Sequence, residues 1–164
     1  MKGFYKKGQR FKLRTHGKKG RIHGFGVVDP FQGKLITKIY RSHNSNDFID
    51  FINSVVSSIP KNKVLYIVLD NDPIHTSHES TQFLKLLESK GSIKLNWLPT
   101  HSPQLNWIEY LWRDTKDYIC GNFVFDSIDE LRKAIEQRWL SLSKKDIQRI
   151  IGLNTRLEKL LGKI

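Results

Sequence analysis

The sequence predicts one mixed α/β domain: an antiparallel meander of strands, followed by strands joined through helices. Three observations predict it. The 164 residues, 38% of them hydrophobic, suffice for one compact core and hardly for two. Residues 9–15 and 21–28 alternate apolar with polar side chains and 34–40 reads as a further strand, with the turn signals "HGKKG" and "DPFQG" between them. Beyond them the apolar period switches to that of helices, with short apolar strands between, an order that favours parallel pairing.

The elements follow in turn. Phe48, Ile49, Ile52, Val55, Val56 and Ile59 fall at helical spacing, with Ser45 or Asn46 as cap and Pro60 as stop. "KVLYIVLDN" is short, continuously apolar and β-branched, so a central strand buried on both faces is expected. Phe83, Leu84, Leu86 and Leu87 mark a helix that Gly91 ends, and "SIKLNWLP" is the next strand. A helix from about Leu105 to Ile119 follows. Another is capped by Asp126 or Ser127, and a basic helical tail runs from Lys144 to Ile164. The reading is therefore one unit over residues 1–141, with residues 142–164 as its C-terminal tail.

The longest apolar run, Val64–Leu69, is far too short to span a membrane, and no apolar stretch follows the basic N-terminus. The single cysteine, Cys120, excludes an internal disulfide and offers no metal spacing; a buried small side chain in a reducing cytoplasm is expected. The net charge of +12 is uneven: residues 1–41 hold twelve Lys and Arg against Asp29 alone, and the rest is nearly balanced. Such a block is the footprint of a polyanion, most often nucleic acid. Because Phe11, Leu13, Ile22, Phe25 and Val27 interleave with the charges, a structured basic face is favoured over a disordered tail. Its DNA-binding candidates are Lys6, Lys7, Arg10, Lys12, Arg14, Lys18, Lys19 and Arg21.

In open α/β sheets, ligands gather at the carboxyl ends of strands. Asp70 ends the most apolar strand, with Asn71, Asp72 and His75 after it. "LPTHSP" leaves the adjoining strand and feeds the helix carrying Glu109. Two converging carboxylates suit a hard divalent cation with positions left open for phosphate. Plainer readings exist for each residue. Asp70 and Asn71 could cap a helix beginning near Thr76, Glu109 could pair with Arg113, His75 and His101 could be loop histidines, and Trp97, Trp107 and Trp112 ordinary core aromatics.

"VLDNDPIH" followed by "LNWLPTHSPQLNWIEYLW" resembles the two hallmark blocks of the bacterial insertion-sequence transposases related to mariner, in the DDE superfamily. The match is strong over Val64–Trp112 and looser over Lys7–Ile59 and Asp126–Ile135. The resemblance implies a ribonuclease-H-like fold and DNA cleavage and strand transfer at transposon ends, using Mg²⁺ or Mn²⁺ in a two-metal site. It assigns Asp70 and Glu109 as catalytic metal ligands and Asn71, His75, Ser102, Pro103 and Asn106 as supporting residues. Its implied partners are DNA and further copies of the chain or a missing N-terminal half, without membrane or small-molecule substrate. The implied location is the cytoplasm of a prokaryote, at the nucleoid.

Three departures stand out: Trp107 replaces a proline, His101 stands where an aromatic is common, and thirty-eight residues separate Asp70 from Glu109. A fourth is larger. The family's first aspartate ends a first strand upstream of the segment that "FYKKGQRFKLRTHGKKGRIHGFGVV" resembles, so the sheet is expected to lack that strand. The usual helix-turn-helix region is missing as well. Asp29 should lie at the opposite edge, Asp47 and Asp50 sit at a helix start, and Asp114 or Asp117 are weak substitutes. The expectation is a transposase catalytic-domain fragment, inactive by itself; the alternative is a non-catalytic basic DNA-binding remnant.

Overall fold

The structure, a computed structural model, describes residues 21–60, 62–122, 125–160 and 162. The expected strand at 9–15, and the DNA-binding candidates from Lys6 to Lys19, lie outside the described residues. Strands β1 (His23–Asp29) and β2 (Lys34–Tyr40) form an antiparallel hairpin in register from His23↔Tyr40 to Asp29↔Lys34. Asp29 shapes the turn, its Oδ1 accepting the amides of Phe31 and Gln32, and Gly33 supplies the left-handed φ of 59°. Helix α1 (Ser45–Ser57) follows. Its cap is Asn44 rather than Ser45 or Asn46, because the Asn44 side chain reaches the amide of Asp47.

Strands β3 (Leu65–Leu69) and β4 (Ile93–Trp97) are parallel, paired from Leu65↔Ile93 to Leu69↔Trp97, with α2 (Pro73–Thr76) and α3 (His78–Ser89) in the connection. Gly91, at φ 69°, ends α3 as expected. Among the described residues the strands thus form two separate two-stranded sheets, β1–β2 and β3–β4.

One apolar core serves both. Phe25 of β1, Ile67 and Leu69 of β3 and Ile93 of β4 pack with Phe48, Phe51, Ile52 and Val55 of α1 and Leu84 and Leu87 of α3. The opposite face of the hairpin is covered by α4 (Ile108–Asn122), α5 (Ile128–Ser141) and α6 (Lys144–Ile150), with α7 (Leu153–Leu160) packed on α6. There Leu111, Ile147, Ile151 and Leu153 close over Val28 and Leu35. Gly26 lets this layer approach: a Cβ on it would stand 2.6 Å from the Trp112 ring.

The second layer does not extend over β3. Tyr66 and Val68 are 64% and 56% exposed, so the strand expected to be buried on both faces is buried on one. Continuous apolarity reports potential for burial, and no described element covers that face. The expected basic tail is also two helices. Gly152 (φ 66°) breaks it, and Ile147, Ile151 and Leu153 are core residues, so it is an integral layer. Cys120 is exposed on α4, not buried, because the core side of that helix is taken by Leu111, Thr115 and Ile119. No helix among the described residues is long and apolar enough to cross a membrane.

Candidate metal-binding and catalytic site

Asp70 follows β3 directly, and both of its carboxylate oxygens are engaged. Oδ1 lies 2.9 Å from His75 Nδ1 and receives the Asp72 amide at 3.3 Å. Oδ2 accepts from Asn106 Nδ2 at 3.0 Å. A carboxylate only accepts, so His75 carries its proton on Nδ1 and Asn106 presents its NH₂ group. The His75 ring packs on Phe48 with centroids 4.4 Å apart, which sets the imidazole plane. The Asp70 side chain remains 38% exposed while that of His75 is only 16% exposed, leaving the carboxylate accessible from one side.

Asp70 is not the helix cap. Asp72 takes that role, its Oδ1 accepting from Ile74 N at 2.9 Å, and Ser77 caps α3. Asn71 works between strands: its Nδ2 donates to Leu98 O at 2.7 Å beside the Leu98 N to Leu69 O bond of 2.8 Å. The exits of β3 and β4 are thereby held side by side.

The chain then turns through His101, in the left-handed region at φ 56°, into a 3-10 turn at Pro103–Leu105. Ser102 and Pro103 build this turn. Ser102 O accepts from Leu105 N at 3.0 Å, and neither residue bonds to Asp70. Glu109 sits in the first turn of α4, its amide donating to Asn106 O at 3.2 Å. Leu111 is fully buried, Trp107 and Ile108 pack against the same core, and Trp112 meets Trp139 with centroids 5.5 Å apart. The Glu109 carboxylate is half-buried and has no hydrogen-bonding or ion-pairing partner among the described residues. Arg113 lies over the Tyr110 ring instead, 5.6 Å from its centroid.

Asp70, His75, Asn106 and the start of α4 are thus brought together, with Asn71 one residue behind. The other acids are elsewhere. Phe48 touches both Phe25, near the start of β1, and His75, just past the end of β3. The far end of β1, where Asp29 holds its turn, therefore lies away from Asp70. Asp47 accepts from Ser42, and Asp50 from Lys38 and Tyr40. Asp114 is bound by Arg138 at 2.7 Å, and Asp117 is exposed farther along α4. Among the described residues no group of three or more acids, histidines or cysteines is placed to hold a metal ion. Arg21 is exposed near the start of β1.

One contributor has no local signal in the sequence. Arg156 of α7 donates to Ile151 O at 2.9 Å and Gln104 O at 3.3 Å, with its guanidinium 4.4 Å from the Tyr110 ring centroid. It steadies the corner before Glu109 from 52 residues away.

The α/β fold is similar to the ribonuclease-H-like fold of a transposase catalytic domain. The strand transfer complex of the Mos1 transposase superposes with a TM-score of 0.66 over 99% of this chain and 49% of that one, at 17% identity. The catalytic domain of the Mos1 mariner transposase gives a TM-score of 0.57 over 74% of this chain and 63% of that one, at 16% identity. Residues 1–132 match the DDE superfamily endonuclease family, and the chain belongs to it. An uncharacterised 39 kDa protein of insertion element IS630 from Shigella sonnei is 26% identical over 129 residues, 79% of this chain and 37% of that protein. The uncharacterised protein y4pE/y4sA of Sinorhizobium fredii is 23% identical over 127 residues, 73% of this chain and 89% of that protein. The chain thus spans little more than a third of the first of these relatives and about half of the Mos1 chain.

Proposed function

We propose that the chain is part of an insertion-sequence transposase, with Asp70 and Glu109 as ligands of divalent metal in DNA cleavage and strand transfer. The observation that carries this reading is the bond from Asn106 to Asp70, which ties the acid at the end of β3 to the segment leading into Glu109. The donor set fits Mg²⁺ or Mn²⁺: oxygen ligands only, one carboxylate open on a side and the other unpartnered among the described residues. When bound, such ions activate water or a 3′-hydroxyl and stabilise the leaving oxygen of a phosphodiester. The chain's own part is to hold Asp70 through His75 and Asn106 and to present Glu109 on a helix anchored by Leu111. The Mos1 structures it resembles include a paired-end complex with Mn and one with a left transposon end, which supports DNA and divalent metal as partners. Residues 1–141 then act as the catalytic unit, with residues 142–164 as its C-terminal part, in the cytoplasm at the nucleoid.

Two carboxylates are one short of a three-acid site, so the chain acting alone is expected to be inactive. The test is nicking of supercoiled DNA by the purified chain with Mg²⁺ or Mn²⁺, alongside metal binding. The expected result is no nicking above background and Mn²⁺ binding that is lost in Asp70→Asn. Metal-dependent nicking abolished by Asp70→Ala would overturn the inactivity. DNA binding indifferent to metal, with Mn²⁺ binding unaltered in Asp70→Asn, would favour a non-catalytic DNA-binding role.

A further inference from the structure

The Asp70 carboxylate and the Glu109 helix belong to elements far apart in the chain, and hydrogen bonding does not join the two carboxylates directly. What spans them is Asn106. Its Nδ2 donates to Asp70 Oδ2 at 3.0 Å, and its own carbonyl receives the Glu109 amide at 3.2 Å. One residue thus takes hold of the first acid by its side chain and of the second acid's backbone by its main chain. The opposite oxygen of Asp70 is taken by His75 at 2.9 Å, whose ring is seated on Phe48, so the carboxylate has donors on both oxygens. Asn71 fixes the strand exits but touches neither carboxylate.

We propose that Asn106 is a positioning residue that sets the separation and relative orientation of the Asp70 and Glu109 carboxylates, and that metal affinity depends on it. The physical reason is that a divalent ion bound by few protein ligands gains affinity only where those ligands are already aligned. Outer hydrogen bonds that orient ligating carboxylates commonly govern about 10- to 100-fold in metal affinity. An asparagine suits the position because its amide donates to a carboxylate without adding charge. An aspartate there would turn an acceptor toward Asp70, and an apolar residue would leave that oxygen to solvent.

The proposal rests on the reading of Asp70 and Glu109 as metal ligands, and the experiment separates the two. Mn²⁺ binding to the full chain would be titrated by the free-ion EPR signal in wild type, Asn106→Ala, Glu109→Gln, the double variant and Asp70→Asn, with circular dichroism reporting the fold. Asn106→Leu, of similar volume and without a donor, replaces the alanine variant if that one does not fold. The expected result is about tenfold weaker Mn²⁺ binding in Asn106→Ala. In the Glu109→Gln background, where only one carboxylate is left to align, the same substitution should have little effect. Wild-type affinity in Asn106→Ala, or an equal loss in both backgrounds, would overturn the positioning role. Asp70→Asn binding as tightly as wild type would overturn the metal reading itself, and this proposal with it.

Discussion

Tyr40 shows how a few hydrogen bonds at the edge of a hairpin acquire a pH signature. Its hydroxyl donates to Asp50 Oδ2 at 2.6 Å, and the same oxygen receives Lys38 Nζ at 2.7 Å. Burial first, and then this bond, push the phenol up from its ordinary 10.0 to about 12. Asp50 is held below its ordinary range by the Lys38 ammonium and then by the Tyr40 hydroxyl. The sign for Tyr40 follows from linkage. Unfolded chains lose the proton near pH 10 while the folded chain keeps it, so the contribution is full below pH 10 and is lost as pH rises towards 12. Absorbance at 295 nm should show a late-ionising tyrosine that Tyr40→Phe removes and Asp50→Asn brings to lower pH. A titration with no late component would contradict this environment. On the acid side, the pair of bonds to Asp50 should be lost as pH falls through its depressed value.

At the scale of elements, the last two helices matter most. Residues 142–164 read as a basic helical C-terminal tail of the same domain, and α6 is pinned to the hairpin turn. Gln148 Nε2 donates to the carbonyls of Pro30 and Phe31 at 3.1 and 3.0 Å. The capping box of Ser143 and Asp146 starts α6, and Gly152 turns the chain back so that Arg156 reaches the corner before α4. Ile151 is fully buried at the centre of this layer. Replacing it with alanine should cost roughly 2–5 kcal/mol, from lost transfer energy and the cavity left behind. Chemical denaturation would measure the loss. A change within about 0.5 kcal/mol, the range of an ordinary surface substitution, would mean that this layer contributes little to stability. α5 is held to α4 in a different way. Arg138 binds Asp114 with both Nε and Nη2, its guanidinium lies 4.5 Å from the Tyr118 ring centroid, and the Trp139 indole donates to Thr115 Oγ1 at 3.0 Å.

For the whole molecule, the uneven charge makes a prediction independent of the acid site. If the basic block contacts phosphates, affinity for duplex DNA falls steeply with salt, because each phosphate neutralised releases condensed counterions. Replacing Lys6, Lys7, Arg10 and Lys12 by glutamine should weaken binding to all sequences alike. It should also reduce the slope of log K against log salt by roughly 3–4. Gel-shift or anisotropy titrations at several salt concentrations would read this. A slope unchanged by the four substitutions would place the DNA surface elsewhere on the chain.

The sequence by itself determined the local pieces, because each has a short-range physical cause. Lys34–Tyr40 follows the turn signal "DPFQG" and is a strand over those residues. The stop at Gly91 needs a left-handed residue, and the cap expected at Asp126 or Ser127, found at Ser127, needs a side-chain acceptor. Asp70 and Glu109 each stand out as an acid near an element boundary, and the family resemblance, not the local pattern, implies that they act together as metal ligands. Only the tertiary structure decided what lies around them. Asp72 rather than Asp70 caps the helix, His75 and Asn106 grip opposite oxygens of one carboxylate, and Arg156 braces the corner from another layer. It also decided that β3 is covered on one face and that the C-terminal segment lends Ile147, Ile151 and Leu153 to the core. The reason is common to all of these. Burial and hydrogen-bond partners depend on which distant segments arrive at a residue, and composition and periodicity record only a segment's capacity to be buried or bonded.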